Sequence, residues 1–113
     1  MLNMDCIGFG DSIQVGNGKS APVLWKIADE LDEKLDNFMV ERTWRGGGAD
    51  ATPFHEKGIP ILYFVTTNSY AHLHLPTDLP LTLNFGLYEK IVKLCYAVAY
   101  EIANGNYTRE PLN

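Results

Sequence analysis

What the chain lacks already limits what it can be. It has only two cysteines, Cys6 and Cys95, each inside an apolar run, which argues against a disulfide framework or a cysteine zinc site. No apolar stretch approaches the roughly 20 residues that span a bilayer, and no basic segment followed by an apolar one marks a targeting peptide. With a formal net charge of −5, the chain also lacks the clustered basic side chains that nucleic acids and anionic membranes attract. We therefore expect neither a nucleic-acid nor a membrane partner.

What is present indicates one globular domain of the α/β class. Hydrophobic residues make up 46% of the 113 positions and charged residues 20%, a balance typical of a chain with a modest core. Strands that alternate with helices predict a mostly parallel, mixed sheet flanked by helices. The strands are expected at 1–9, 12–15, 38–44 and 61–65, and the helices after a Ser20 cap, at 51–57 and at 84–103.

The last predicted helix carries tyrosines at helical spacing. Its main apolar stripe predicts a face packed on the sheet. Tyr88, Tyr96 and Tyr100 recur at four- or eight-residue intervals beside that stripe. The simplest interpretation is that they pack in the core or at its rim.

The segment 71–78 carries the strongest chemical signal. It holds two imidazoles two residues apart, His72 and His74, followed by Pro76 and Asp78, and it comes just after the apolar run 61–65. Loops that leave the end of a buried strand are where α/β proteins place their chemistry, and histidine is the commonest metal ligand. By local chemistry alone, however, such histidines are most simply solvated loop residues.

A glycine-rich stretch, 46–48, precedes the short predicted helix. It lacks the Lys-Ser/Thr pair and the GxGxxG spacing of nucleotide-binding loops. The glycines are instead expected to let the backbone turn tightly and approach a site closely. Asp50, which follows them, has two interpretations: a cap of the short helix, or a residue beside an active centre.

Three segments in register resemble one enzyme family. Asn3-Met4-Asp5-Cys6-Ile7-Gly8 resembles the asparagine-x-aspartate strand of the M28 zinc aminopeptidases. Ala49-Asp50-Ala51-Thr52-Pro53-Phe54, with Gly58-Ile59-Pro60 after it, resembles their Ser-Asp-His-x-Pro-Phe helix and the Gly-Ile-Pro segment that leads into the next strand. His74-Leu75-Pro76-Thr77-Asp78 resembles their His-Thr-Pro-x-Asp loop.

The resemblance implies a partial zinc-exopeptidase-like (phosphorylase/hydrolase-like) fold and a metallo-aminopeptidase activity. In that case Asp5 and His74 are metal ligands, one on each of two zinc ions, and a metal-activated water hydrolyses the N-terminal peptide bond of a peptide substrate. His72 is an alternative ligand, but the spacing to Pro76 and Asp78 matches the family loop only for His74. Beside the metals, the residues expected to contact a second shell or shape a substrate pocket are Cys6, Asp50, Phe64, Tyr70 and His72.

The chain departs from the family pattern in two ways. Ala51 stands where the family has a histidine after its motif aspartate, and His72-Leu73 stands where it has Asp-Tyr. The remaining ligands and the general base are expected before Asp5, so this chain holds no catalytic residue of its own.

We interpret residues 1–104 as the C-terminal portion of such a catalytic domain, inactive in isolation, and residues 105–113 as a polar tail. Two alternatives stay open: a glutaminyl-cyclase-like single-zinc acyltransferase, and a non-catalytic domain that keeps the fold. A sheet cut near its middle would expose its first strand, so a homo-oligomer that pairs this edge is expected. The sequence leaves the compartment open, and the family is compatible with a periplasmic or secreted protein.

Overall fold

The computed structural model describes all 113 residues and shows a small α/β fold with a mixed three-stranded sheet. The α/β class with a mixed sheet and flanking helices is confirmed. The strands are β1 (Leu2–Met4), β2 (Ile13–Gly16) and β3 (Leu62–Thr66), and the helices are α1 (Pro22–Lys34), α2 (Thr52–Glu56) and α3 (Phe85–Asn104). Short 3₁₀ turns lie at Ala49–Ala51, Ser69–Ala71 and Pro80–Thr82.

The central strand is β3, with β1 parallel on one side and β2 antiparallel on the other. One of the two pairings is therefore antiparallel, although alternation with helices suggested a mostly parallel sheet. The reason lies in the segment between β1 and β2, which wraps around the carboxyl end of β3. There the Thr66 hydroxyl donates to the carbonyl oxygen of Cys6 at 2.8 Å and also contacts that of Phe9. A chain that rounds the end of a strand in this way must return in the opposite direction.

The strand predicted at 38–44 does not form. Only an isolated parallel bridge joins Met39 to Ile13. The buried Asp32 carboxylate accepts hydrogen bonds from the N–H groups of Met39 at 2.8 Å and of the residue before it at 3.1 Å. Beyond the bridge, the contact with β2 is made by a side chain and not by a backbone ladder. The Thr43 hydroxyl donates to the Val15 carbonyl oxygen at 2.8 Å. Side chains thus replace strand pairing along this edge.

The C-terminal residues 105–113, predicted to be a polar tail, contact the start of α1. The carboxylate of Glu110 accepts from the N–H groups of Val23 and Leu24 at 2.8 and 2.9 Å. Ser20, the predicted cap, does not cap the helix, because its hydroxyl accepts from the Gly46 N–H at 2.8 Å. The helix cap therefore comes from a residue distant in sequence, which ties the end of the chain to the domain.

The two faces of the sheet are covered differently. On one face, which we call the helical face, α1 and α3 close a core of 12 buried residues that includes Leu62 and Phe64 of β3. On the other, the loop face, only four buried residues cluster, and irregular segments cover them. The loop-face cluster consists of Ala51, Ile61, Tyr63 and Val65, with Met1, Cys6 and Trp44 packed against it. None of the helices combines the length and apolar character needed to cross a membrane.

Candidate functional site

A depression of about 440 Å³ lies on the loop face and includes residues from four separate segments of the chain. Asp5 and His74, far apart in sequence, both line it. We call it the Asp5–His74 depression. Its complete lining is Asp5, Cys6, Trp44, Gly48, Ala49, Tyr63, Tyr70, Leu73 and His74.

The backbone at both candidate ligands is fixed by local geometry. Asp5 follows β1 directly, and its N–H donates to the Phe64 carbonyl oxygen at 3.1 Å, which continues the pairing with β3. The next residue, Cys6, has φ of +53°, and His74 has φ of +58°. Left-handed backbone is uncommon in residues other than glycine, and it is held only where surrounding structure compensates, often at functional sites.

Two side chains hold the Asp5 carboxylate. The Tyr63 hydroxyl donates to one carboxylate oxygen at 2.6 Å, and the Cys6 thiol donates to the other at 3.4 Å. Burial, and then the contact with Asp5, raises the pKa of Tyr63 well above its usual value. The same two causes in the same order raise the pKa of Cys6 to about 11. Both groups therefore stay protonated at neutral pH and remain donors to the carboxylate.

Tyr63 is itself positioned by an aromatic neighbour and a glycine. The Trp44 ring meets the Tyr63 ring edge-on, with centroids 5.6 Å apart. Gly48 has φ of +146°, and a Cβ at this position would lie 3.3 Å from the Tyr63 ring. The glycine-rich segment thus provides the close backbone approach expected of it, here toward an aromatic ring.

The second imidazole of the loop lies elsewhere. His72 lines a smaller neighbouring depression of about 170 Å³ together with Asp78. Its Nδ1 atom is 2.9 Å from the Thr77 hydroxyl oxygen, and its ring packs edge-on against Phe9 with centroids 5.0 Å apart. His74 is therefore the histidine that shares a depression with Asp5.

Of the other residues predicted to shape the pocket, some line the depression and some do not. Cys6 and Tyr70 line the Asp5–His74 depression, but Phe64 does not, because its fully buried side chain packs on the helical face. Asp50 also lies outside the lining, with an exposed side chain that caps neither the 3₁₀ turn nor α2. The sequence interpretation missed Tyr63, whose position next to Phe64 in an extended strand places it on the opposite face.

Asp5 and His74 offer donor atoms suited to zinc, but they do not form a complete site. No group of three or more His, Cys, Asp or Glu side chains lies close enough together to hold a metal ion. A catalytic zinc normally keeps three protein ligands. Ala51, where the resemblance places a histidine, is fully buried in the loop-face cluster. The residues of this chain alone therefore do not fit a catalytic zinc centre.

The α/β fold is similar to part of the fold of a zinc aminopeptidase. One such structure is BSAP, a zinc aminopeptidase from Bacillus subtilis, with a TM-score of 0.71 and 22% sequence identity over 88% of this chain and 27% of that one. The fold is also similar to part of the structure of LapA from Legionella pneumophila, with a TM-score of 0.68 and 19% identity over 86% of this chain and 30% of that one. The chain thus spans less than a third of either structure's length. No family model and no curated protein matches it.

Proposed function

We propose that residues 1–104 are part of an M28-type zinc aminopeptidase catalytic domain that releases N-terminal residues from peptides. Asp5 and His74 supply two of the metal ligands, one to each of two zinc ions. The observation that carries this proposal is that these two residues line one depression, in a fold similar to part of a zinc aminopeptidase.

The hydrogen bonds around Asp5 give it a defined orientation. With Tyr63 on one carboxylate oxygen and Cys6 on the other, the carboxylate has little rotational freedom before any ligand arrives. Groups that hold a ligand side chain in this way are a common part of metal sites. Tyr70 and Leu73 form an apolar part of the wall, which would contact an apolar side chain of a substrate.

The isolated chain is expected to have no appreciable peptidase activity, because it provides two candidate ligands and no general base. The measurement is hydrolysis of aminoacyl p-nitroanilides by the homogeneous 113-residue protein, with and without added zinc. Efficient turnover that a chelator abolishes would contradict the proposal that this chain supplies only part of the catalytic site.

The ligand assignment has a direct test by NMR. At millimolar Zn²⁺, we expect chemical-shift changes at the His74 imidazole and the Asp5 amide, with at most weak affinity. His74→Ala should remove these changes. His72→Ala and His55→Ala are matched controls and should leave them in place. Changes that follow His72 or His55 instead would overturn the assignment.

A non-catalytic binding or assembly domain is the second candidate function. It is favoured by the fact that both Asp5 oxygens already accept hydrogen bonds within the chain. On this alternative Asp5 has a structural role, so Asp5→Asn would destabilise the fold while zinc would cause no localised shift changes. The two outcomes of the zinc experiment therefore separate the two candidates.

A further inference from the structure

The outer side of α3 carries a row of large side chains that remain partly or largely exposed. The tyrosines expected in the core or at its rim lie on this row, and they are exposed. Phe85 is 68% exposed, Tyr96 70% and Tyr100 60%. We call the row the aromatic stripe, and its members are Phe85, Tyr88, Val92, Tyr96 and Tyr100.

The stripe is separate from the face by which α3 packs on the sheet. The buried side of the helix presents Leu87, Ile91, Leu94, Cys95 and Val98. The stripe lies beside that side at helical spacing, so it forms a second apolar face on the same helix. A helix that buries one apolar face and leaves another exposed is typical of a docking surface.

The area of the stripe approaches what an interface needs. At roughly 200 Å² per aromatic side chain, its four rings together expose on the order of 500 Å². Val92 adds to this, as does Leu81, which is 83% exposed just before the helix. The stripe thus lies at the upper end of the roughly 300–600 Å² of the largest apolar patch on a typical monomer, which is often functional, and amounts to more than half of the about 800 Å² that a standard interface buries on each partner.

The spacing of the stripe is nearly symmetric about Val92. Phe85 and Tyr88 lie seven and four residues before it, and Tyr96 and Tyr100 lie four and eight after it. In an antiparallel helix pair with its two-fold axis at Val92, Tyr88 faces the second copy's Tyr96 and Phe85 faces its Tyr100. A surface that complements its own copy is what a two-fold dimer requires. From this self-complementarity we infer that the partner of the stripe is a second copy of this chain, bound α3 to α3.

The charges beside the stripe agree with that partner. The stripe itself contains no charged residue, and Glu89 and Lys93 border it as an exposed pair 3.9 Å apart. When a two-fold axis perpendicular to the helices relates the two copies, the same flank of each helix lies on the same side of the interface, and the two helices run in opposite directions. At a rise of about 1.5 Å per residue, Glu89 of one helix and Lys93 of the other are then about 3 Å apart along the helix axis. Opposite charges meet, and the interface stays neutral despite the net charge of −5.

This assignment differs from pairing at the edge of the sheet, where the sequence placed an oligomer contact. β1 is an edge strand with one free side, but it has only three residues, and Met4 is its one exposed large side chain. The stripe offers several times that apolar area. The inference does not depend on the proposed function, because none of the stripe residues lines the Asp5–His74 depression.

The first experiment measures the mass of the 113-residue chain in solution. Sedimentation equilibrium from 1 to 200 μM should give twice the 12.7 kDa protomer mass. Val92→Lys places two like charges at the axis and should raise the dimer dissociation constant at least about thirty-fold, as expected for a hot spot. The matched control, Met4→Lys at the β1 edge, should leave the dimer intact. Circular dichroism verifies that both variants are folded.

The second experiment locates the axis without relying on a loss of stability. In a Cys6→Ser background, Val92→Cys should form a disulfide-linked dimer under mild oxidation, because a residue on a two-fold axis meets its own copy. Glu30→Cys, on the exposed side of α1, is the matched control and should stay unlinked. A folded 12.7 kDa monomer at 200 μM, or a dimer that Met4→Lys dissociates and Val92→Lys does not, would overturn the inference.

Discussion

The two faces of β3 differ in what packs against them. On the helical face, 12 buried side chains from strands and long helices form a continuous apolar core, whereas only four buried side chains cluster on the loop face. The loop face also contains polar contacts, including the bond from Tyr63 to Asp5, and left-handed backbone at Cys6 and His74. Polar groups and strained backbone lower stability unless a well-packed structure supports them. The helical face provides that support for the loop face, where the candidate site lies.

The contrast is sharpest in the dipeptide Tyr63-Phe64. The two aromatic residues are adjacent and both buried, yet Phe64 belongs to the core and Tyr63 lines the Asp5–His74 depression. Changes at these two positions therefore report on the two faces separately. A larger loss of stability is expected on the helical face, and a loss specific to one hydrogen bond on the loop face.

The largest effect is expected for Phe64→Ala. Removing a fully buried ring from the helical face should reduce the free energy of unfolding by about 3–5 kcal/mol, which is a large part of a small domain's stability. Urea unfolding followed by circular dichroism measures the change. Phe64→Leu, which keeps most of the volume, is the matched control and should lose less than half as much. A loss below about 1 kcal/mol for the alanine variant would contradict the division between the faces.

A smaller effect is expected for Tyr63→Phe, which keeps the ring and removes the hydroxyl. The Asp5 carboxylate loses the donor at 2.6 Å, so the free energy of unfolding should fall by about 1 kcal/mol. The measurement is again urea unfolding, combined with Asp5→Asn in a double-mutant cycle to isolate the pair. Tyr70→Phe removes a hydroxyl that makes no hydrogen bond within the chain, so it is the matched control. Additive losses in the cycle would show that Tyr63 and Asp5 do not act on each other.

Much of the fold could be predicted from the sequence wherever the signal was local. The predicted ranges 84–103 and 61–65 differ from α3 and β3 by one residue at each end. Asn84 caps α3 through a bond from the Leu87 N–H at 3.2 Å, a pattern visible in the sequence. The strand expected at 38–44 is reduced to one bridge at Met39, because beyond the bridge the Thr43 hydroxyl and not the backbone bonds to β2, a contact that no local pattern indicates.

The candidate site was only partly predictable for a similar reason. Asp5, His74, Cys6 and Tyr70 could be found from the resemblance to a family and do line one depression. Tyr63 could not be found in this way, because all five residues of β3 are buried. In such a strand no alternation of polar and apolar residues shows which side chains lie on which face. Which face carries the candidate site depends on packing by segments far away in sequence.

A third contrast, seen only at high pH, concerns the thiol on the helical face. Burial raises the pKa of Cys95 to about 11, from about 9 in an unfolded chain. The folded state therefore keeps a proton that the unfolded state releases as the pH rises. The resulting contribution to stability is fully present below pH 9 and is lost between pH 9 and about 11.

The experiment compares urea unfolding at pH 8.5 and pH 10.5 for the wild type and Cys95→Ala. The alanine variant should lose less stability between these two pH values, even though its stability at pH 8.5 is lower because of the small cavity. Cys6→Ala is the loop-face counterpart, and the pKa of Cys6 is raised to about 11 by burial and also by Asp5. Cys6→Ala should likewise reduce the loss of stability between the two pH values, but this reduction should be smaller in an Asp5→Asn background. The reduction caused by Cys95→Ala should not change in that background, because burial alone acts on Cys95. If Asp5→Asn reduced the pH effect of both cysteine substitutions equally, the two faces would be electrostatically coupled. That result would contradict the separate behaviour expected of Tyr63 and Phe64.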